Sequence, residues 1–249
     1  MITATVTTMT TPIRIRTAAT IMSTKLTALL HLADPTLPIG GFNHSGGLET
    51  FVQQRIVNSR ADLQEYVAVQ LRQNWAHNDG AYVSLAYDAA AHGDLAALLK
   101  LDAKISANKA PREIREAAAK LGVRLLKIFA RYENAPVLQD FQTAVTAKEA
   151  YGFYPLVFGL IAALGAHPKD ETLTAFYYNA AVGAVTNGVK LIPLSQMDGQ
   201  DILFELRLPI ANAVADSLVP DENRLGAASI ASDIRAMQHE RLYTRLYMS

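Results

Sequence analysis

The helical spacing of apolar residues is the feature that most constrains the fold of this chain. Behind Pro111, apolar side chains recur at intervals of three and four residues, at Ile114, Ala118, Leu121, Leu125 and Ile128. This spacing places them along one face of an α-helix. Similar patterns fill most of the sequence, whereas the alternation typical of strands is hardly visible. The sequence therefore predicts an all-α protein, a single helical domain of roughly ten helices with mostly antiparallel packing.

Capping residues and prolines divide this helical pattern into segments. Ser59 followed by Asp62 predicts one helix start, and Asp94 predicts another. Pro111 is expected in a first helical turn, where its missing N–H costs nothing, and Pro209 is expected to kink a helix. A final helix is predicted to carry five apolar residues: Ile230, Ile234, Met237, Leu242 and Leu246.

Composition excludes several classes of protein. The chain has 23 basic and 23 acidic residues, with no basic stripe of the kind that binds nucleic acid. A net charge near zero favours association with other proteins, because little repulsion keeps molecules apart. There is no cysteine, which excludes disulfides, thiolate nucleophiles and cysteine-based zinc sites and fits a reducing cytosol.

The N-terminal segment differs from the rest. Residues 1–24 are predicted to form a disordered extension that precedes a helical domain over residues 25–249. The segment is rich in threonine and lacks acidic residues, so a transit peptide, or a true start near Met22, are the alternatives. The apolar run from Phe153 to Ala166 is shorter than the ~20 residues that span a bilayer, so no membrane helix is expected.

The stretch GGFNHSGG at residues 40–47 resembles a phosphate-binding loop only at first sight. Gly41 and Gly46 have the spacing of that motif, but Gly47 and Leu48 stand where it needs lysine and a hydroxyl. The nucleotide-binding chemistry is therefore absent. The glycines are expected to let a tight turn pass close to other backbone, with His44 and Ser45 presented for hydrogen bonding.

Acidic residues offer one alternative function. Asp198, Asp201 and Glu205 lie on one helix face, where they can hold a divalent ion in an all-α enzyme acting on a small apolar substrate. The simpler interpretation is that the two aspartates stabilise the N-terminal end of a helix. The six histidines include no pair spaced by three or four residues, so no ready metal site is predicted.

Glycines inside helical segments need compensation, since each costs about 1 kcal/mol relative to alanine. Four of them stand in apolar segments: Gly122, Gly159, Gly183 and Gly188. Close helix–helix approach is the usual reason, and a narrow cavity is the alternative.

Five ordered blocks of sequence resemble the UreF family of urease accessory proteins. The first is LLHLADPTLPIGGFNHSGGLETFVQ, in which Pro38, Gly40 and Glu49 occupy motif positions. REIREAAAKLG, YPLVFGLIAALG and KLIPLSQMDGQDIL follow, and RAMQHERLYTRLYMS closes the series. Ser195 replaces a usual glycine in the fourth block, and Tyr247 replaces a usual phenylalanine in the last.

The resemblance implies a non-enzymatic assembly factor. Members of this family are all-α homodimers that bind UreD (also called UreH) and through it recruit the GTPase UreG. The resulting complex loads nickel into apo-urease, and the family member modulates GTP hydrolysis. No tightly bound cofactor or metal is implied for the chain itself, because nickel is handled transiently by the complex.

The resemblance also implies which residues contact partners. The set lies in the first, second and last blocks: Phe42, His44, Ser45, Glu49, Arg115, Glu240, Tyr243, Arg245, Leu246 and Tyr247. Arginine and tyrosine are common anchors of interfaces, which suits the last block. Packing and structural ion pairing are the alternative roles for Glu49, Arg115 and Leu246.

Overall fold

The computed structural model describes residues 18–227 and 229–248, and it confirms the all-α prediction. Within these ranges it has no strand and contains twelve α-helices, numbered in chain order. They are α1 (Ala18–Leu32), α2 (Leu48–Gln53), α3 (Arg60–Val69), α4 (Asp79–Ala91), α5 (Leu95–Asn108), α6 (Arg112–Phe129), α7 (Pro136–Thr146), α8 (Tyr154–Leu164), α9 (Lys169–Leu191), α10 (Gln196–Glu205), α11 (Arg207–Leu218) and α12 (Ile230–His239). A 3₁₀ turn (Gly41–Asn43) and a π-helical turn (Gln70–Trp75) complete them.

Some of the predicted helix boundaries are confirmed by the structure, and others are not. Ser59 and Asp94 cap α3 and α5 through their side chains, as predicted. Pro111, however, is the N-cap of α6 and not a first-turn residue. The expected kink at Pro209 was wrong, because the chain breaks at Leu206, between α10 and α11. Proline is tolerated at the third position of α11, since the N–H it lacks has no partner within the first turn.

The start of α1 lies inside the predicted N-terminal extension. The helix begins at Ala18, seven positions before the boundary predicted at Lys25. Residues 1–17 of the predicted extension lie outside the described residues. Across the described ranges, no helix combines the length and apolarity needed to cross a bilayer.

The core is centred on α8, which packs against α4 and α6. Its residues from Pro155 to Ala162 are all buried, with Phe158 fully enclosed. A Cβ added to Gly159 lies 2.3 Å from the carbonyl oxygen of Val83 in α4. The expected close approach of helices is therefore confirmed at this position.

The last predicted helix was too long. α12 ends at His239, and residues 240–248, hereafter the tail, leave the helical path and run back over α2 and α6. The backbone N–H groups of Leu246 and Tyr247 donate to Glu49 instead of continuing helical bonds. A distant carboxylate thus replaces the helix as the acceptor for this segment.

Candidate functional site

The loop between α1 and α2 forms the base of the candidate site. Gly40, Gly46 and Gly47 all have positive φ, which glycine adopts without steric cost. A Cβ on Gly47 lies 3.3 Å from the backbone of Ala236 in α12, so the loop passes close to that helix. The expectation of a tight turn that passes near other backbone is confirmed, and α12 is the element it meets.

Glu49, in the first turn of α2, holds the tail in place. Its side chain is almost fully buried, and its two carboxylate oxygens accept the N–H groups of Leu246 at 2.7 Å and Tyr247 at 3.1 Å. A buried carboxylate is stable only when its oxygens are paired. Glu49 therefore has a structural role inside the chain, which was one of the two roles considered for it.

His239 joins the same carboxylate to α6. The imidazole is completely buried, with Nε2 3.2 Å from Glu49 and Nδ1 2.8 Å from Glu113. Arg245 of the tail donates to the other oxygen of Glu113 at 2.7 Å. Four charged or chargeable side chains, Glu49, Glu113, His239 and Arg245, thus form one connected group, hereafter the tail cluster.

Further contacts hold both ends of the tail. Arg112 donates to Glu240 at 2.7 Å, and this hydrogen bond holds the pKa of Glu240 below its ordinary value. At the other end, the N–H of Met248 donates to the carbonyl of Asn43 at 2.9 Å. The tail is therefore fixed along its length to the loop and to α6.

A cleft of about 510 Å³ remains between α6 and the tail. Its walls are strongly charged and include Arg112, Glu116, Lys120, Arg245 and His44. Burial, followed by Lys120 and Arg124, lowers the pKa of His44, so its ring is neutral near pH 7. The cleft can therefore accept charged or hydrogen-bonding side chains of a partner.

An apolar groove of about 620 Å³ also borders the loop. It is lined by Trp75, Tyr154, Phe176 and the small residues of α9, including Gly183. A Cβ on Gly183 meets no atom within 4 Å, so helix packing does not require this glycine. At Gly183 the structure therefore supports a cavity as the reason for the glycine, and not close helix packing.

The predicted contact residues fall into three groups. Tyr243 and Leu246 are exposed on the tail, whereas Tyr247 and Ser45 are buried. Arg115 lies apart from the tail and donates to the carbonyls of Lys109 and Ala110, just after α5. The side chain of Phe42 lies outside the described residues.

His239 and Glu113 were not among the predicted contact residues, although both stand in the blocks that resemble the family. The histidine was interpreted as a single residue because no second histidine lies near it in the sequence. The adjacent letters HE at 239–240 and RE at 112–113 were the available signal, since they supply both signs of charge in two blocks.

The acidic residues of α10 do not form a site. Asp198 accepts hydrogen bonds from the side chain and backbone of Ser195 in a capping box, as the simpler interpretation predicted for it. The same interpretation was wrong for Asp201, which lies beyond the first turn of the helix. Asp201 lies 3.5 Å from Arg60, and Glu205 is the last residue of the helix. Over residues 18–227 and 229–248, no group of three or more His, Asp or Glu side chains is arranged so that it could hold a metal ion.

Comparisons with known proteins all lead to one family. A family model described as UreF matches residues 57–207. A urease accessory protein UreF from Actinobacillus pleuropneumoniae serotype 3 is 68% identical over 225 residues, covering 90% of this chain and 99% of the relative. One from Haemophilus influenzae strain PittEE is 64% identical, covering 91% and 96%.

A more distant relative carries the same description. The urease accessory protein UreF of Bacillus sp. strain TB-90 is 32% identical over 226 residues, covering 90% of this chain and 99% of the relative. The family match, the high identities and their coverage all agree. This chain belongs to the UreF family of urease accessory proteins.

Proposed function

We propose that this chain is a non-enzymatic assembly factor that binds UreD (UreH) and, with it, recruits the GTPase UreG to apo-urease. The chain acts as a homodimer in the cytoplasm, and the complex modulates GTP hydrolysis while nickel is delivered as cargo. No nucleotide site and no tight metal site on this chain are part of the proposal.

The docked tail is the observation that carries this proposal. The tail cluster and the Arg112–Glu240 pair hold three separate sequence blocks together as one surface. On that surface Tyr243 is fully exposed, and Leu246 and Met248 are 65% and 63% exposed. Exposed aromatic and apolar side chains on an anchored backbone beside a charged cleft are typical of protein-binding surfaces.

Order in the tail also favours binding. Long side chains and loops that are fixed only on association lose conformational entropy, which weakens a complex. Here the tail backbone is already held by Glu49 before any partner arrives. The exposed side chains of the tail are therefore presented at a low entropic cost.

Size exclusion with purified UreD and UreG homologues tests the proposal. We expect the chain to elute with UreD, and the pair to retain UreG in the presence of GTP. The double variant Tyr243→Ala, Leu246→Ala should weaken this association at least tenfold, because it removes two exposed contacts of about 1 kcal/mol or more each.

Tyr132→Ala is the matched control, since Tyr132 is also exposed but lies after α6 and outside the tail. It should leave the association and urease activation unchanged. Failure of the unmodified chain to elute with UreD contradicts the proposal. Equal effects of the double variant and the control contradict the role of the tail.

A further inference from the structure

The hydrogen bonds of His239 determine its charge when the tail is docked. Both ring nitrogens face carboxylate oxygens, Nδ1 at 2.8 Å from Glu113 and Nε2 at 3.2 Å from Glu49. An ionised carboxylate only accepts hydrogen bonds, and a neutral imidazole has a single N–H. Only the imidazolium form donates to both carboxylates at once.

Both carboxylates also accept hydrogen bonds from other donors. Glu49 also accepts two backbone N–H groups from the tail, at 2.7 and 3.1 Å. Glu113 also accepts from the guanidinium of Arg245 at 2.7 Å. Hydrogen bonds donated to a carboxylate favour its charged form. Because both glutamates act as hydrogen-bond acceptors in these contacts, the protons shared with His239 must come from its ring.

Charge balance leads to the same assignment. The tail cluster contains two carboxylates, one guanidinium and one imidazole, so it is neutral only when His239 is protonated. Loss of that proton leaves a net negative charge in a buried position, with a lone pair of the ring facing a carboxylate. Buried charge without a partner is costly.

The other charged groups on the elements around His239 make their contacts outside the tail cluster. On α6, Arg112 pairs with Glu240 of the tail and, at 4.0 Å, with the exposed Glu116. On α12 itself, the guanidinium of Arg235 lies over the ring of Phe51.

Further groups of the tail and the cleft leave this charge balance unchanged at neutral pH. Arg241 is exposed, and burial raises the pKa of Tyr247 above its ordinary value, so that phenol stays neutral. His44, across the cleft, is neutral near pH 7 because its pKa is lowered.

We propose that docking of the tail takes up one proton at His239, so that the tail is a pH-sensitive element that is held at low pH and released as the pH rises. An exposed histidine ordinarily loses its proton near pH 6.5. Above that pH, docking must bind a proton from solution. The docking equilibrium then falls by about tenfold per pH unit, the dependence for one proton.

The effect on partner binding rests on the proposed function, because a released tail no longer presents Tyr243 and Leu246 in fixed positions. Proton uptake itself is a property of the isolated chain. The two are therefore separable by experiment.

Nuclear magnetic resonance of the full chain labelled with ¹⁵N tests the proton uptake directly. At pH 6 we expect both ring nitrogens of His239 to show imidazolium shifts and the amides of Leu246 and Tyr247 to be protected from exchange. The protection factor, corrected for intrinsic exchange, should fall by about tenfold per unit at alkaline pH. A neutral ring in a chain with a protected tail overturns the proposal.

Two variants complete the experiment. His239→Gln should reduce protection of the tail amides and remove its pH dependence, because glutamine neither gains nor loses a proton. His167→Gln is the matched control, a second buried histidine that lies between α8 and α9. It should retain the dependence of the unmodified chain.

Persistence of the pH dependence in His239→Gln, or absence of protection at pH 6 in the unmodified chain, overturns the proposal. The resonances of the unmodified chain decide the question even where a variant does not fold. Loss of binding to UreD alongside an intact pH dependence contradicts only the proposed function.

Discussion

Where α4 packs against α8, the contact consists of apolar side chains and closely spaced backbone, whereas the tail meets α2 and α6 through carboxylates, an imidazole and guanidinium groups. Apolar contact is non-directional and does not change with ionisation. Charged hydrogen bonds depend on the position and protonation of each partner. The tail can therefore be released locally while the core stays folded, which is the usual division between binding elements and stable cores.

The largest effect is expected in the core. Gly159→Ala places a Cβ 2.3 Å from the carbonyl of Val83, so α4 and α8 must move apart. We expect a loss of about 3 kcal/mol in the free energy of unfolding, measured with urea. Gly183→Ala is the control, because its Cβ meets no atom within 4 Å and the helix gains up to about 1 kcal/mol. Similar losses in both variants contradict the close-packing interpretation.

The next effect is expected in the tail cluster. Glu49→Ala leaves two backbone N–H groups and His239 without their acceptor, so the free energy of tail docking should fall by about 3 kcal/mol. Trypsin cleavage at Arg241 and Arg245 measures this release, and urea unfolding reports the core.

Glu116→Ala is the matched control for that variant. Glu116 is an exposed glutamate of α6 with ion-pair distances of 4.0 and 3.8 Å, so its removal should change stability by less than about 0.5 kcal/mol. If trypsin cleaves Glu49→Ala as slowly as it cleaves this control, docking of the tail does not depend on the buried carboxylate.

A smaller effect is expected for Arg245→Ala. This change removes one charged hydrogen bond made by a side chain that is 37% exposed, so docking should weaken by about 1 kcal/mol without unfolding of the core. Binding to UreD and urease activation should decline in proportion. Arg207→Ala, which removes a guanidinium at the start of α11 that lies over the ring of Phe204 in α10, should leave both unchanged. Full urease activation by Arg245→Ala contradicts the role of this residue.

An effect no larger than that of Arg245→Ala is expected outside both regions. Ser195→Ala removes the capping box of α10 and should cost about 1 kcal/mol at pH 7 in urea unfolding. Hydrogen bonds from Ser195 lower the pKa of Asp198, so this stabilisation is present above the ordinary carboxylate range. It is lost as the pH falls through the lowered value, and the variant should show a weaker dependence. Tail cleavage should not change, because α10 does not contact the tail cluster.

Local signals in the sequence were sufficient for the helices. Ser59 and Asp94 were identified as caps because a cap needs only a residue three positions later. Gly159 was identified as a close contact because a glycine inside an apolar helix needs compensation. The partner of that glycine in α4, however, was not predictable, since it depends on how the two helices pack.

The site itself was less predictable from the sequence. The end of α12 depends on Glu49, whose carboxylate accepts a hydrogen bond from the N–H of Leu246. These two residues lie 197 positions apart in the sequence. His239 was interpreted as a single residue because its partners lie 126 and 190 positions away. Contacts between residues so far apart in the sequence leave no periodic signal, so only the family resemblance pointed to these blocks.

The same separation has a consequence for the order of folding. Contacts between residues 197 and 198 positions apart close a very long loop, and the entropy of that closure must be offset before the contacts form. The helices that frame the site must therefore be assembled first. The tail joins after the rate-limiting step, so changes at Glu49 should act on the rate of unfolding and leave the rate of folding nearly constant.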